Sequence, residues 1–575
     1  MKILLQGKHS PLPSSNVPTP QLATPDCLDD PILPTRVIDV GSVNGLEEPR
    51  LILSEGRRAK YVTLSHCWGE SRPLITDAST LPNHLQQIEM STLPWTFRDA
   101  VITTRRLGYQ FLWIDSLCIL QDSPQDWQEE CAKMVDIYHN AVITIAGLAA
   151  VDCSTGFLHE RLSIHPKPLI WEYEEVEGGT FQRVTLRQSM CYVFWEGHCW
   201  SRTWEQVIRK DELDSLIAER AWILQERLLP NRVLYFGRHR MQWECNTHCQ
   251  LEDACYPTKS LHPTKHRELE RITKERFSRL ILRHSTTPSR PQTSLGLFPS
   301  VSRRFISMWK KPSTSRPNDD LSMDPNEREK AWYDLVVEYT SRSLTKPTDT
   351  LPAISGLASL LWGDHKYEYI AGLLKHDIHR GLTWYVPPES RRRLVVRKED
   401  HLETYIPSWS WASADYKVNF HFNNFNDGRH HAIGSGEMHR NRAIQNKKLS
   451  DNIQLAIIQA SLDTVGRDPF GQVSSGYLKV KGRVLPVDST VDGIYWDEPD
   501  RQKEKSMLLY ETKRGLLLAV DAFGNGWGVL VLIQVPSKPN HYQRIGYFHR
   551  LDNGLSRDPE ECPFYNAPIK ELILI

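Results

Sequence analysis

This chain has no long apolar run. The longest uncharged one, Ala141–Val151, covers 11 residues, whereas a membrane-crossing helix needs about 20. Met1–Gln6 holds only three consecutive aliphatics, Ile3, Leu4 and Leu5, too few for the apolar core of a secretory leader. Neither sign of charge is in excess: 70 Lys and Arg stand against 70 Asp and Glu, which argues against a general polyanion binder. The basic run Arg391–Arg393 lies beside acids and reads as a solvated loop, not a nucleic-acid groove. The 11 cysteines follow no regular frame. Cys245, His248, Cys249 and Cys255 lack the paired two-residue knuckles of a zinc site. No internal repeat is present. These absences predict a cytoplasmic protein with free thiols and without a metal, a membrane anchor or a nucleic-acid partner.

The remainder is the composition of a globular chain. With 575 residues, 40% of them hydrophobic, there is material for two or more domains with cores. The 18 tryptophans are most simply read as core and lid packing. Residues 1–33 are rich in Pro, Ser and Thr and read as a flexible arm. Residues 34–280 carry a consistent set of strand and helix signals. Residues 284–326 have none and read as a linker or disordered insertion. Residues 327–415 follow as a helical region broken at Pro352, 416–452 as a polar loop, and 453–575 as an antiparallel β-rich region.

The most informative stretch is Tyr109–Ala146. Phe111–Ile114 is an apolar run fit for a buried strand, and Asp115 follows at its carboxyl end, where open α/β sheets place ligand crevices. Ser123, Pro124 and Asp126 open a helix as cap, first residue and first-turn acid. Trp127, Cys131, Met134 and Tyr138 then share one helical face. Glu130 stands about 60° off that stripe, half-buried at a pocket edge, and Glu129 faces solvent. Upstream, Tyr61–Ser65 reads as a strand and His66–Glu70 as the loop beyond it. A helix from Phe97 to Leu107, capped by Thr96, separates the two strands, and Arg36 and Arg50 open a small strand pair before the main fold. Strand and helix alternate from Tyr61 to Ala146, which implies a parallel sheet. Cys118 with His66 has the residue types of a thiol–imidazole nucleophile pair, although burial beneath Asp115 is the simpler account of Cys118.

Four blocks, YVTLSHCWGE at 61–70, FLWIDSLCILQD at 111–122, DWQEECAKMVDIYHNAVITIA at 126–146, and RAWILQERLLPNRVLYFG with QWEC at 220–245, together closely resemble the fungal heterokaryon-incompatibility (HET) domain. The resemblance implies a trigger of programmed cell death on non-self recognition between fused fungal cells. It makes Cys118, Gln121, Arg220, Trp222, Gln225 and Glu226 motif residues with structural roles. The HET domain is in turn similar to the Toll/interleukin-receptor (TIR) superfamily, some members of which cleave NAD. That likeness implies Glu130 as the catalytic carboxylate, with Ser65, His66, Trp68, Gly69, Asp115 and Trp127 around a nucleotide. Trp68 and Trp127 would stack on its rings, Ser65 would hold ribose or phosphate, and Asp115 would crowd Glu130 from the neighbouring strand end. Two function classes are open: an enzyme with NAD as substrate and no cofactor, or a non-catalytic adaptor that forms homo-oligomers and recruits a death effector through a protein partner.

Overall fold

The computed structural model describes residues 30–160 (without 43, 44, 46 and 70–72), short strands between 169 and 201, residues 219–252 (without 239, 240 and 248), 274–284, 327–393 (without 364–367 and 391), 405–421, 455–511 (without 488–490 and 492), 514–551 (without 524, 525 and 537) and 562–575. The arm up to residue 29, the insertion 285–326, the polar loop from 422 to 452 and Glu70 lie outside the described residues.

Three short apolar segments, β3 (Tyr61–Ser65), β4 (Phe111–Trp113) and β5 (Ile143–Ala146), are buried at every position. Strands without a polar face need cover on both sides, and parallel pairing is the usual consequence. β3 pairs in parallel with β4 on one side and with β5 on the other. β10 (Arg232–Phe236) extends the parallel set beyond β5. The sheet is nevertheless mixed, not purely parallel as the strand–helix alternation predicts. β1 (Arg36–Asp39) and β2 (Arg50–Leu53), expected as a separate pair, form the sheet's edge, because Ile38 and Asp39 pair antiparallel with Leu112 and Phe111. At the other edge β10 turns back into β11 (Met241–Cys245), and β12 (Cys249–Leu251) adds a last antiparallel strand. The full order is β12-β11-β10-β5-β3-β4-β1-β2. Between β5 and β10, β6 (Leu169–Tyr173) pairs with β7 (Gln182–Leu186) and β8 (Tyr192–Trp195) with β9 (His198–Ser201).

Helix α1 (Leu81–Gln86) is short. α2 (Trp95–Arg106) starts two residues before its expected first residue, after Pro94. Its polar residues are tertiary ties instead of caps: the Thr96 hydroxyl donates to the Asp152 carbonyl, and Asp99 accepts from the amides of Phe157 and Leu158 at 2.7 and 2.9 Å. α3 (Asp115–Cys118) is a single turn leaving β4. α4 (Pro124–Asn140) begins as the sequence predicts, with the Ser123 hydroxyl accepting from the Asp126 amide at 3.2 Å. Its buried face carries Met134, Ile137 and Tyr138, with Trp127 and Cys131 partly covered. Glu129 is exposed, but Glu130 is fully buried at 1% exposure, not half-buried. α5 (Ile223–Leu228) leads into β10; α6 (Lys274–His284) packs beside it.

The downstream half is built onto this domain. α7 (Glu327–Thr340) and α8 (Pro352–Trp362) are its helices, and α8 packs on both α4 and α5. Beyond Trp362 short turns replace the longer helix expected, because Trp384, Trp409 and Trp411 fill the core at 0% exposure. Arg393, expected in a solvated loop, is buried over the Tyr339 ring at 4.6 Å. From Ala456 to Leu574 the chain forms a seven-stranded, mainly antiparallel sheet. Arg544 fastens that sheet to the helical part: Nε donates to Asp497 at 3.1 Å, Nη1 to the Leu382 carbonyl at 2.9 Å, and the guanidinium lies 3.4 Å from the centre of the Trp384 ring. One core cluster runs continuously from Leu33 to Leu574. Among the described residues no helix is long and apolar enough to cross a membrane.

Candidate functional site

The order β4-β3-β5-β10 reverses its direction of travel between β3 and β5. The chain leaves β3 for β4 on one side and leaves β5 for β10 on the other. Ligand crevices form at the carboxyl ends of strands at such a switch. Here those ends carry Ser65, His66 and Asp115.

Asp115 is the most accessible acid there, with 21% of its side chain exposed. Its carboxylate accepts from Trp68 Nε1 at 3.0 Å and from the Ser116 amide at 2.7 Å, and lies 3.8 Å from His66 Nδ1. Gln121 donates to the Asp115 and Ile119 carbonyls, so its role is to hold the α3 turn. His66 is buried edge-on to Phe97 at 4.9 Å, and its Nε2 has no hydrogen-bond partner among the described residues. Burial, aided by the Arg220 charge and opposed by Asp115, holds the His66 pKa down at about 4. The ring is therefore neutral at physiological pH.

Two residues arrive from α5 and the segment before it. The Arg220 guanidinium donates to the His66 backbone carbonyl. Glu226, 5% exposed, is pushed up to about 7 by burial first; Asp115 adds to the rise, while Arg220 and hydrogen bonds from Ser65 and Tyr138 oppose it. A carboxyl that titrates near neutrality can both give and take a proton under working conditions. Asp115 and Glu226 therefore stand within electrostatic reach of one another. The sequence assigns Arg220, Trp222, Gln225 and Glu226 one structural role, and the fold divides them. Arg220 and Glu226 join the strand-end cluster, the first through the His66 carbonyl and the second through Ser65 and Tyr138. Trp222 donates to Asp349 at 3.0 Å, and Gln225 donates to the Pro352 carbonyl at 3.1 Å while accepting from the Gly356 amide at 2.8 Å.

The other predicted residues have partners of their own. Glu130 accepts from the Thr35 hydroxyl at 2.7 Å and from Lys133 Nζ at 2.8 Å, and its Oε2 has no partner among the described residues. Among the described residues it shares no hydrogen-bond partner with Asp115. Thr35 and Lys133 line a cavity of about 500 Å³ bounded also by Ile32, Ser54, Tyr61 and Asn140. Trp127 packs edge-on against Trp222, with ring centres 6.4 Å apart. Gly69 adopts φ +73°, and a Cβ there would sit 2.3 Å from that of Asp152, so this loop needs glycine for close approach. The Cys118 thiol is fully buried and pushed up to about 12, chiefly by burial, which leaves it inert beneath Asp115. Among the described residues no cluster of three or more His, Cys, Asp or Glu is placed to hold a metal. The sequence marks Glu226 only as a motif residue with a structural role; nothing local places it at the strand ends, because its neighbours Ser65 and Tyr138 come from distant elements.

These features define an α/β domain with a largely buried polar cluster at the switch of its parallel strands. Residues 61–226 match the model of the family described as Heterokaryon incompatibility protein (HET), and that stretch is a HET domain. The match runs from the first residue of β3 to the crevice glutamate itself. No curated protein and no solved structure matches the chain.

Proposed function

We propose that this protein acts in heterokaryon incompatibility, as its HET domain suggests, and that the Asp115–Glu226 crevice hydrolyses the N-glycosidic bond of NAD or a related nucleotide to bring about cell death. The observation that carries this reading is Glu226, buried beside the Ser65 hydroxyl and within the field of Asp115, and titrating at about 7. Cleavage of such a bond passes through an oxocarbenium-like sugar. Asp115 would stabilise the positive charge developing at C1′. As the C1′–N bond breaks, nicotinamide leaves neutral. Water adds to C1′, and its proton passes to Glu226, which returns it to solvent. Trp68, fixed by its bond to Asp115, offers a flat surface to a base, and Ser65 a hydroxyl to ribose.

A second reading, with Glu130 as the reactive group, is favoured by its unpartnered Oε2 and by the cavity against Thr35 and Lys133. One experiment separates the two. Purified full-length protein is incubated with NAD and free nicotinamide is measured, for wild type and for Glu226→Gln, Glu130→Gln and Glu129→Gln. Our reading expects loss in the first and retention in the third. Loss in Glu130→Gln with Glu226→Gln fully active moves the site to the cavity. Absence of cleavage by the wild type, with cell death that tracks self-association, favours the adaptor instead.

A further inference from the structure

α5 is also held by α8. Gln225 directly precedes Glu226, and both ends of its amide are engaged by α8: Nε2 by the Pro352 carbonyl and Oε1 by the Gly356 amide. Gln225 is 1% exposed, so these are its only described partners in a place water does not reach. The approach requires glycine on α8, since a Cβ at Gly356 would fall 2.2 Å from Gln225 Oε1 and 2.7 Å from Val135 Cγ2 of α4. Two more ties act beside it. Trp222 donates to Asp349 just ahead of α8, and the 219–221 segment forms a bridge with Ser343, whose amide donates to Glu219 and whose carbonyl accepts from Ala221. The segment carrying Arg220 and Glu226 is therefore secured by residues 343–356, outside the 61–226 family match.

We infer that Gln225 is a positioning residue for Glu226, and that α8 and the Ser343–Asp349 strap form part of the site by deciding whether Arg220 and Glu226 occupy the crevice. An amide meets this requirement and a carboxylate does not. A single side chain must donate to a carbonyl and accept from an N–H at once, which an amide or a protonated acid of this length does and an ionised carboxylate does not. α8 also contacts α4, whose Val135 closes the same space, so displacement of α8 would be felt at the crevice through two helices. This inference rests on the reading of the strand-end cluster as the reactive centre, but the exchange part of its test does not depend on that reading.

The test uses full-length protein with Gln225→Glu or Gly356→Ala. Amide hydrogen exchange is followed over residues 219–229, with β3, β4 and β5 as internal standards, and the pH profile of NAD cleavage is recorded in parallel. Loss of the donation to Pro352 in Gln225→Glu, and of the close approach to Gln225 in Gly356→Ala, is expected to raise exchange over 219–229 by on the order of tenfold or more while the strands stay protected. The limb of the pH profile near 7 is expected to shift towards the ordinary carboxylate range as Glu226 meets water, a change that general destabilisation does not produce. For Gln225→Glu the exchange is expected to return to the wild-type level in acid, where the new carboxyl is protonated and donates again. Unchanged exchange over 219–229 in both variants overturns the inference. So does raised exchange with an unmoved pH limb. If the wild type cleaves no NAD, the catalytic reading fails and the exchange measurement alone decides whether α8 holds α5.

Discussion

At the level of single residues, Glu226 and His66 impose opposite pH dependences on stability. The folded-state pKa of Glu226, about 7, lies above its ordinary 4.5. Its contribution to stability is therefore complete below about 4.5 and is lost as pH rises towards 7. The folded-state pKa of His66, about 4, lies below its ordinary 6.5, so its contribution is complete above that value and is lost as pH falls towards 4. His139, held at about 4 by burial, acts in the same direction as His66. Across pH 4.5–6.5 the slopes partly cancel in the wild type. In urea denaturation over that range, the stability difference between wild type and Glu226→Gln is expected to fall with rising pH, by on the order of 2 kcal/mol. The difference for His66→Gln should rise. Parallel curves for wild type and Glu226→Gln would mean that the glutamate is solvated. Glu130→Gln is expected to cost about 1–3 kcal/mol by weakening the tie to Lys133 and Thr35. Calorimetric melting beside Glu129→Gln checks it, and equal melting temperatures would count against a load on that carboxylate.

Among secondary-structure elements, those whose cause is local are the ones legible in the sequence. The start of α4 follows from Ser123, Pro124 and Asp126, three neighbours that satisfy their own backbone. The strands β3, β4 and β5 follow from apolar runs too short for helices. α2 was misjudged at its start because Thr96 and Asp99 resemble a cap yet bind residues 152–158, and only the tertiary fold makes those acceptors and donors present. Asp115 was legible as a crevice residue from its place after β4. Glu226 was not, because nothing near it in the sequence states that α5 will lie over Ser65. Burial of β4 makes a direct test available. Trp113 and Ile114 are both 0% exposed, and Trp113 meets Tyr138 edge-on at 5.7 Å. Trp113→Ala is expected to cost about 3–5 kcal/mol and Ile114→Ala about 2–5 kcal/mol. Thermal melts measure both, and an unmoved midpoint would be incompatible with a strand covered on two faces.

On the scale of the whole molecule, the two halves share one interior. α8 covers α4 and α5, Trp222 and Gln225 find their partners beyond residue 343, and the core cluster crosses every candidate boundary. A fragment of residues 30–284 would open the α4–α5 face to water and leave the Gln225 amide unpaired. That fragment is expected to be poorly soluble and to lack a cooperative melt, and co-expression with residues 327–575 should restore both. Circular dichroism and yield of soluble protein decide the matter. A fragment melting as sharply and as high as the full chain would show that the downstream half merely rests on the domain.

The long excursion between β5 and β10 also has a consequence in time. During synthesis β5 is complete at Ala146, yet the strand that covers its outer edge does not begin until Arg232. At ordinary translation rates that interval lasts roughly ten seconds. Through it the nascent chain carries a bare edge with the sequence Ile-Thr-Ile-Ala, the kind of surface on which neighbouring chains dock strand to strand. On a polysome, with sister chains a short distance away, the yield of this protein is therefore set by a race between its own β10 and someone else's β5.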